Sequence, residues 1–391
     1  MYDFQTLKEA ILFNTAEVLP GEIEKLDKEI NFLVENANTG GEKLCHYIGF
    51  EISGQIHLGT GISPMLKIKK LQDAGVHCII WLADYHTWLN NKLDGTIETA
   101  RLVAREYFGP VMEKCLEIVG GNPEMMQVLL AENIYKNKQV NGLSFWDFDL
   151  YICKNLTLSR VLKSISVMGK KEGGDVEFGT LRYPSLQVAD PYFLGCHFVH
   201  AGMDQRKCHV LMREVAFKLP VLCQIKINQK AVKPIAIHHN LLLGLENKGD
   251  GDIESSKMSK SKPDSAIWVH DSKSEIIRKL KKAYCPMYDS SKTYCENVEI
   301  QKFNPMLDWS KNMIFPGGRQ INLEREQKFG GNVEYSNYLD LEKDYFDGKI
   351  HPLDLKNGIA AALSDWFLPI YNFTIENPDK LSLVINSRPK K

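Results

Sequence analysis

Residues 76–84 read "VHCIIWLAD", a nearly continuous apolar run that starts after Gly75 and stops at Asp84. Such a run predicts a strand buried on both faces, as strands of parallel sheets are. Upstream lie an extended segment, "CHYIGFEI", a Gly/Ser turn, and a helix for which Ser63 and Pro64 suit the N-cap and first helical position. Downstream come a helical stretch over 96–119, a second strand in "MMQVLLAE", and further helical segments up to the loop "GKKEGGDVEFGT". Helical "QRKCHVLMREVAFKL" then leads to another strand near "KPIAIHH". Strands alternating with helices predict an α/β fold with an open parallel sheet, whose ligands sit at the carboxyl ends of the strands. The first 38 residues carry helical periodicity broken near Pro20-Gly21, and the pattern beyond Pro286 is mostly helical.

A chain of 391 residues allows two or three domains and a sizeable core. Its 44% hydrophobic and 25% charged content is that of an ordinary globular protein. With a formal net charge of −1, any nucleic acid must be held by local basic patches rather than a global field. No apolar stretch approaches the ~20 residues of a membrane span, and "MYDFQTLKEAILFNTAEVL" reads as an amphipathic helix rather than a signal peptide. The nine cysteines include no CxxC pair and no Cys/His cluster at zinc spacing. Structural zinc and a disulfide framework are therefore not expected, and reduced thiols point to the cytoplasm.

Two segments carry chemistry suited to phosphate. "GFEISGQIHLGTG" (49–61) sits at a strand-to-helix junction. There Gly54, Gly59 and Gly61 would permit close backbone approach or positive φ, and a helix amino terminus would offer N–H groups to an anion. "SSKMSKSKPDSAI" (255–267) places Lys257 and Lys260 around Met258, Ser259 and Ser261. Each alone is equally a structural turn or a solvated loop. Together, about 200 residues apart and in this order, they resemble the HIGH and KMSKS signatures of class I aminoacyl-tRNA synthetases. The second matches letter for letter; in the first, His57-Leu58-Gly59-Thr60 has threonine in place of the last histidine.

The resemblance implies a Rossmann-like catalytic domain with ATP as substrate. His57, Thr60, Lys257 and Lys260 would be catalytic, and Gly54, Gly59, Leu245, Met258, Ser259 and Ser261 would join His57 and the lysines around the nucleotide. Amino-acid activation needs positioning and neutralisation of phosphoryl charge more than covalent catalysis. Two lysines on a loop, with Mg²⁺ brought by ATP, would serve the departing pyrophosphate.

In "RYPSLQVADPYFLGCHFVHAGMDQRK" (182–207), Tyr183, Gln187 and Asp190 fall at i, i+4 and i+7, so one helical face presents a phenol, an amide and a carboxylate. Burying these groups costs free energy unless they find partners. The alternatives are a polar small ligand and a structural hydrogen-bond network. The stretch resembles the tyrosine pocket of tyrosyl-tRNA synthetases of the archaeal and eukaryotic type. "YIGFE", "LADYH", "GMDQRK", "KKAYCP", "KFGGN" and "HPLDLKN" extend the likeness over about residues 42–375.

Carried over by position, Tyr47 and Asp190 would hold the substrate's phenolic hydroxyl. Tyr183, Gln187 and Gln205 would receive its α-amino group, and Glu51, Ala83 and His86 would line the cavity. Lys163 and Lys207 would meet the acceptor stem of tRNA(Tyr). Phe329, His351 and Asp354 would meet the anticodon by stacking and edge hydrogen bonds, although Asp354 reads equally as a helix N-cap.

Such enzymes are homodimers, with the interface expected among helices of the region 110–165. The expected organisation is N-terminal helices plus catalytic domain over 1–256, a loop and linker over 257–286, and a helical anticodon-binding domain over 287–391, with no appended module. His238-His239 invites a metal reading, yet neighbours on a strand point to opposite faces, and a place beside the adenine is expected instead. Three readings stand: a tyrosine–tRNA ligase, another enzyme of the same fold such as a tryptophanyl synthetase or a small-molecule nucleotidyltransferase, and a non-catalytic RNA-binding descendant. The acid and phenol favour the first over a tryptophanyl enzyme, and the intact lysine loop favours it over the last.

Overall fold

The structure, a computed structural model, describes residues 1–169, 177–246, Met258 and 263–387. The sheet is built from β1 (Glu17–Leu19), β2 (Cys45–Phe50), β3 (His77–Leu82), β4 (Met126–Leu130), β5 (Phe198–Gly202) and β8 (Ile235–His239); a small hairpin of β6 (Lys226–Ile227) and β7 (Lys230–Ala231) precedes β8. Strand order is β1-β8-β5-β2-β3-β4. All neighbours run parallel except β1, which pairs antiparallel with β8, Glu17 opposite His238. The chain leaves β2 toward β3 and β4 on one side and returns to place β5 and β8 on the other. The winding therefore reverses between β2 and β5, and a crevice opens there above the strands' carboxyl ends. The expected α/β fold with a parallel-dominated sheet is what the chain forms.

Local sequence explains the strands. β3 is buried at five of its six positions, and Ala83 extends the ladder by donating to Phe50 O at 3.0 Å. β1 was not expected. Three residues before Pro20 make too short a pattern to see, and the partner strand lies more than 200 residues away.

The helix after β2 starts earlier than Ser63-Pro64. His57 is the N-cap of a first turn, Leu58–Gly61, and Ile62 joins it to the helix Ser63–Asp73, so Ser63 and Pro64 are its first and second residues. A distant segment sets this start: Leu58 N–H donates to Ile267 O at 3.2 Å, and Val269 N–H donates to Ile56 O at 3.0 Å. Gly61 packs tightly, since a Cβ there would stand 2.8 Å from Ile56 and 2.9 Å from Cys115.

This helix is tied to the N-terminal helix Phe4–Leu12 by Lys67, which is fully buried. Its Nζ donates to Ala10 O, Ile11 O and Thr15 Oγ1, each at 2.8 Å, and also to Phe13 O. Four acceptors crowd the ammonium's three N–H donors at the helix's carboxyl end, where the helix dipole favours a cation while burial pushes the Lys67 pKa well down. Lys67→Met should lower stability by about 2–4 kcal/mol, because the buried carbonyls lose their donor. Denaturant unfolding checks this, and a loss within experimental error would contradict the account.

The region after Pro286 is mostly helical, as expected, but carries an unexpected hairpin, β9 (Ile321–Leu323) with β10 (Val333–Tyr335). The long helix Pro352–Glu376 lays Trp366 against the sheet-bearing part, where its Nε1 donates to Ile118 O at 3.0 Å. Asp308 accepts from Leu243 N–H at 2.9 Å, and Trp309 Nε1 donates to Leu243 O at 2.8 Å. One hydrophobic core runs through both regions.

Candidate active site

A cleft of about 990 Å³ opens at the switch point between β2 and β5. Tyr47, Glu51, His57, Gly59, Thr60, Ala83 and His86 line it from the β2 and β3 side. Tyr183, Gln187, Asp190, Gln205 and Met258 complete the predicted set within it. The helix Tyr183–Leu194 presents Tyr183, Gln187 and Asp190 on one face, as their spacing predicts.

At its deep end Asp190 is 1% exposed. Its Oδ2 accepts from Tyr47 Oη at 3.0 Å and its Oδ1 from Tyr135 Oη at 2.5 Å. Burial pushes its carboxyl up to about 7, against the lowering pull of the two phenols and the Trp81 indole. His86 Nε2 stands 4.0 Å from Asp190 Oδ2, but burial pushes this imidazole down to about 3. It is therefore neutral near pH 7, and the contact is no ion pair.

Toward the mouth, Tyr183 Oη donates to Glu51 Oε1 at 2.7 Å and stands edge-on to His86, with ring centroids 4.6 Å apart. Gln187 Nε2 donates to Gln205 Oε1 at 3.1 Å, and Gln205 Nε2 donates in turn to Val167 O at 3.0 Å. Gln187 Oε1 is a buried acceptor with no partner among the described residues. A carboxylate, a phenol and an amide oxygen thus face one small volume, an arrangement suited to an ammonium group.

The phosphate-side expectation is partly corrected. The main-chain N–H groups of the first turn are largely used: Leu58 donates to Ile267 O, while Thr60 and Gly61 both donate to His57 O. The side chains of this turn lie together, with Thr60 Oγ1 3.2 Å from His57 Nε2, and both residues line the cleft. Gly54 adopts φ +131°, a backbone that favours glycine, but it does not line the cleft. Gly61 serves helix packing. Leu245 is buried with its N–H on Ser265 O at 2.9 Å, and Leu241 and Leu242 line the cleft in its place. Lys257, Ser259, Lys260 and Ser261 lie outside the described residues; Met258 among them is buried in the cleft wall.

Residues 39–367 match the family model of class I tRNA synthetases for tryptophan and tyrosine. The tyrosine–tRNA ligase of Pyrococcus furiosus is 43% identical over 358 residues, which cover 88% of this chain and 90% of that protein. The chain belongs to the tyrosine–tRNA ligase family of class I synthetases. A crystal structure of the tyrosyl-tRNA synthetase of Pyrococcus horikoshii, complexed with L-tyrosine, superposes on it with a TM-score of 0.87 at 39% identity, covering 98% of this chain and 99% of that one. The tryptophanyl-tRNA synthetase of Aeropyrum pernix, at 17% identity, 93% of this chain and 84% of its own, and a TM-score of 0.59, shares the fold alone.

In this synthetase the other predicted residues sit apart from the cleft. Lys163 is exposed on the helix Leu158–Ser164, and Lys207 Nζ donates to Ser166 Oγ at 2.9 Å, close to the lining residue Met168. Phe329 is exposed in the turn between β9 and β10. His351, not Asp354, is the N-cap of the last long helix: its Nδ1 accepts from Leu353 N–H at 3.1 Å, which leaves Asp354 in the first turn. Arg325 joins the two segments by donating to Gly331 O and Lys349 O.

His239 meets His200 at 2.8 Å on the cleft side, while its neighbour His238 meets His209 at 3.0 Å. Sequence reasoning missed Gly49 and Tyr135. A Cβ at Gly49 would come within 2.5 Å of Tyr47 Oη, so glycine there clears the hydroxyl's place. Its signal was the position of Gly49 within "YIGFE", between Tyr47 and Glu51. Tyr135 offered none.

Proposed function

We propose that this synthetase activates L-tyrosine with ATP and transfers the tyrosyl group to the 3′ end of tRNA(Tyr). The single observation that carries the choice of amino acid is Asp190, a buried acid gripped by two phenols at the blind end of the cleft. The substrate's hydroxyl donates to Asp190 and accepts from Tyr47, and its ammonium lies among Tyr183, Gln187 and Gln205. Glu51, Ala83 and His86 shape the space between.

With the amino acid so held, its carboxylate oxygen attacks the α-phosphorus of ATP. The P–O bond to pyrophosphate breaks as the new one forms. His57, Thr60, Lys257 and Lys260 stabilise the charge that develops. Gly59, Met258, Ser259 and Ser261 border the nucleotide, while Gly54 and Leu245, which do not line the cleft, only back its wall. Mg²⁺ would come with ATP, held by phosphate oxygens and water. In the second step a ribose hydroxyl of the tRNA attacks the tyrosyl carbonyl and AMP leaves.

The tRNA would lie with its acceptor stem at Lys163 and Lys207 and its anticodon at Phe329, His351 and Asp354. Phosphate contacts should make its affinity fall with salt. The division into catalytic, linking and anticodon-binding portions follows the same reading. ATP–pyrophosphate exchange across the twenty amino acids, then charging of total tRNA, tests the function. Exchange driven best by another amino acid would refute it.

The partner proposed for dimerisation is a second copy. Within 110–165, the helix Gly109–Ile118 packs inward against Pro352–Glu376. The helices Phe145–Asn155 and Leu158–Ser164 instead expose Trp146, Leu150, Tyr151, Leu158 and Leu162. Exposed large apolar side chains concentrated on two successive helices suit an interface. Leu150→Glu combined with Leu158→Glu should shift the sedimenting species from dimer to monomer; a dimer that persists in the double variant would remove this face from consideration. Among the described residues no helix is long and apolar enough to cross a membrane. The compartment proposed is the cytoplasm, on the nine cysteines and their lack of a disulfide-framework spacing.

A further inference from the structure

We infer that Tyr135 is a positioning residue for amino-acid selection, its hydroxyl holding the Asp190 carboxylate from behind in the orientation that receives a phenolic ligand. The inference rests on the reading that Asp190 takes the substrate's hydroxyl. Tyr135 lies on the helix Ala131–Asn137, directly after β4, is 3% exposed and does not line the cleft. It cannot be explained as a substrate contact.

Its ring is clamped. Phe145 stacks on it with centroids 3.5 Å apart at 13°, and Tyr85 stacks at 5.2 Å and 28°. The hydroxyl is thereby aimed at Asp190 Oδ1, at 2.5 Å, while Tyr47 takes Oδ2 at 3.0 Å. With each oxygen claimed by a different phenol, rotation of the carboxyl group is blocked. A length of 2.5 Å belongs to strong charge-assisted O–H···O⁻ bonds.

The second effect is on charge. The groups facing Asp190 are Tyr47 from β2, Trp81 from β3, Tyr135, and His86 and Asp84 from the helix Asp84–Leu89; the Trp81 indole also lowers the carboxyl's pKa, by less than either phenol. His86 is neutral and Asp84 repels, so neither favours ionisation. The bonds from Tyr135 and Tyr47 pull the carboxyl's pKa down against burial. Without the Tyr135 hydroxyl that pKa rises, and more of the site is a protonated acid near neutrality. A protonated carboxyl presents a donor where the substrate's hydroxyl needs an acceptor.

The test is Tyr135→Phe, which keeps the ring stack. ATP–pyrophosphate exchange is measured with tyrosine and with phenylalanine from about pH 6 to 9. The ratio of their kcat/KM values should fall roughly 10- to 100-fold, the range carried by one hydrogen bond to a charged group. The loss should appear mainly in KM for tyrosine, and the acid limb of the tyrosine profile should move to higher pH. If ratio and limb stay at their parental values while Asp190→Ala loses selectivity, Tyr135 is only a packing residue. If Asp190→Ala itself keeps selectivity, the underlying reading of Asp190 fails, and this inference falls with it.

Discussion

Asp190→Ala should erase most of the preference for tyrosine over phenylalanine. Tyrosyl enzymes reject phenylalanine by roughly 10⁴–10⁵, a magnitude borrowed from that class and not calculated from this geometry. Its physical origin is visible in the deep end of the cleft. Phenylalanine would leave Asp190 and the Tyr47 hydroxyl bonded only to each other and to Tyr135, without the two hydrogen bonds that a ligand hydroxyl makes between them. A hydrogen bond to a buried charged group is worth about 1.5–3 kcal/mol. Removing the carboxylate removes that advantage, so activation of tyrosine falls while phenylalanine loses far less. The check is kcat/KM for both amino acids in pyrophosphate exchange. A variant that still rejects phenylalanine by 10³ or more would show that selection resides elsewhere.

Lys257→Ala and Lys260→Ala should each slow activation by about 10²–10³, the loss that follows removal of one group stabilising transition-state charge. Tyrosine affinity should change little, because the proposed amino-acid contacts, Asp190 and Tyr47, are at the deep end of the cleft. The described residues on either side of the lysine loop support the assignment. Met258 is buried in the cleft wall, Leu245 N–H bonds Ser265 O, and Ile267 O receives the N–H that follows His57. Ile267 thus pairs with the His57 turn, and Ser265 with Leu245. Near-parental exchange rates in both variants would refute the role of the lysines.

Much of this was legible in the sequence because it rests on local rules. "VHCIIWLAD" forms β3 since a nearly continuous apolar run has only a buried sheet to enter, and the short apolar stretch in "KPIAIHH" forms β8 of the same sheet. Tyr183, Gln187 and Asp190 share a cleft because helical period alone brings them to one face. What was hidden depends on contacts distant in the chain. The true start of the His57 helix is dictated by Ile267, more than 200 residues away, so the local Ser63-Pro64 signal pointed to the wrong place. β1 exists only because β8 offers it an edge. Likewise, nothing in "AENIYKNK" distinguishes Tyr135 from a core aromatic until Asp190 is folded against it. His351 outcompetes Asp354 for the cap because Pro352 and Leu353 are already helical.

The most direct measurement is a crystal structure of the synthetase with a non-hydrolysable tyrosyl-adenylate analogue. The account predicts the phenolic oxygen within about 3 Å of both Asp190 and Tyr47, with the ammonium at Gln187 and the phosphate beside His57. A tyrosyl ring seated anywhere else in the cleft, with Asp190 bonded only to Tyr47 and Tyr135, would contradict it.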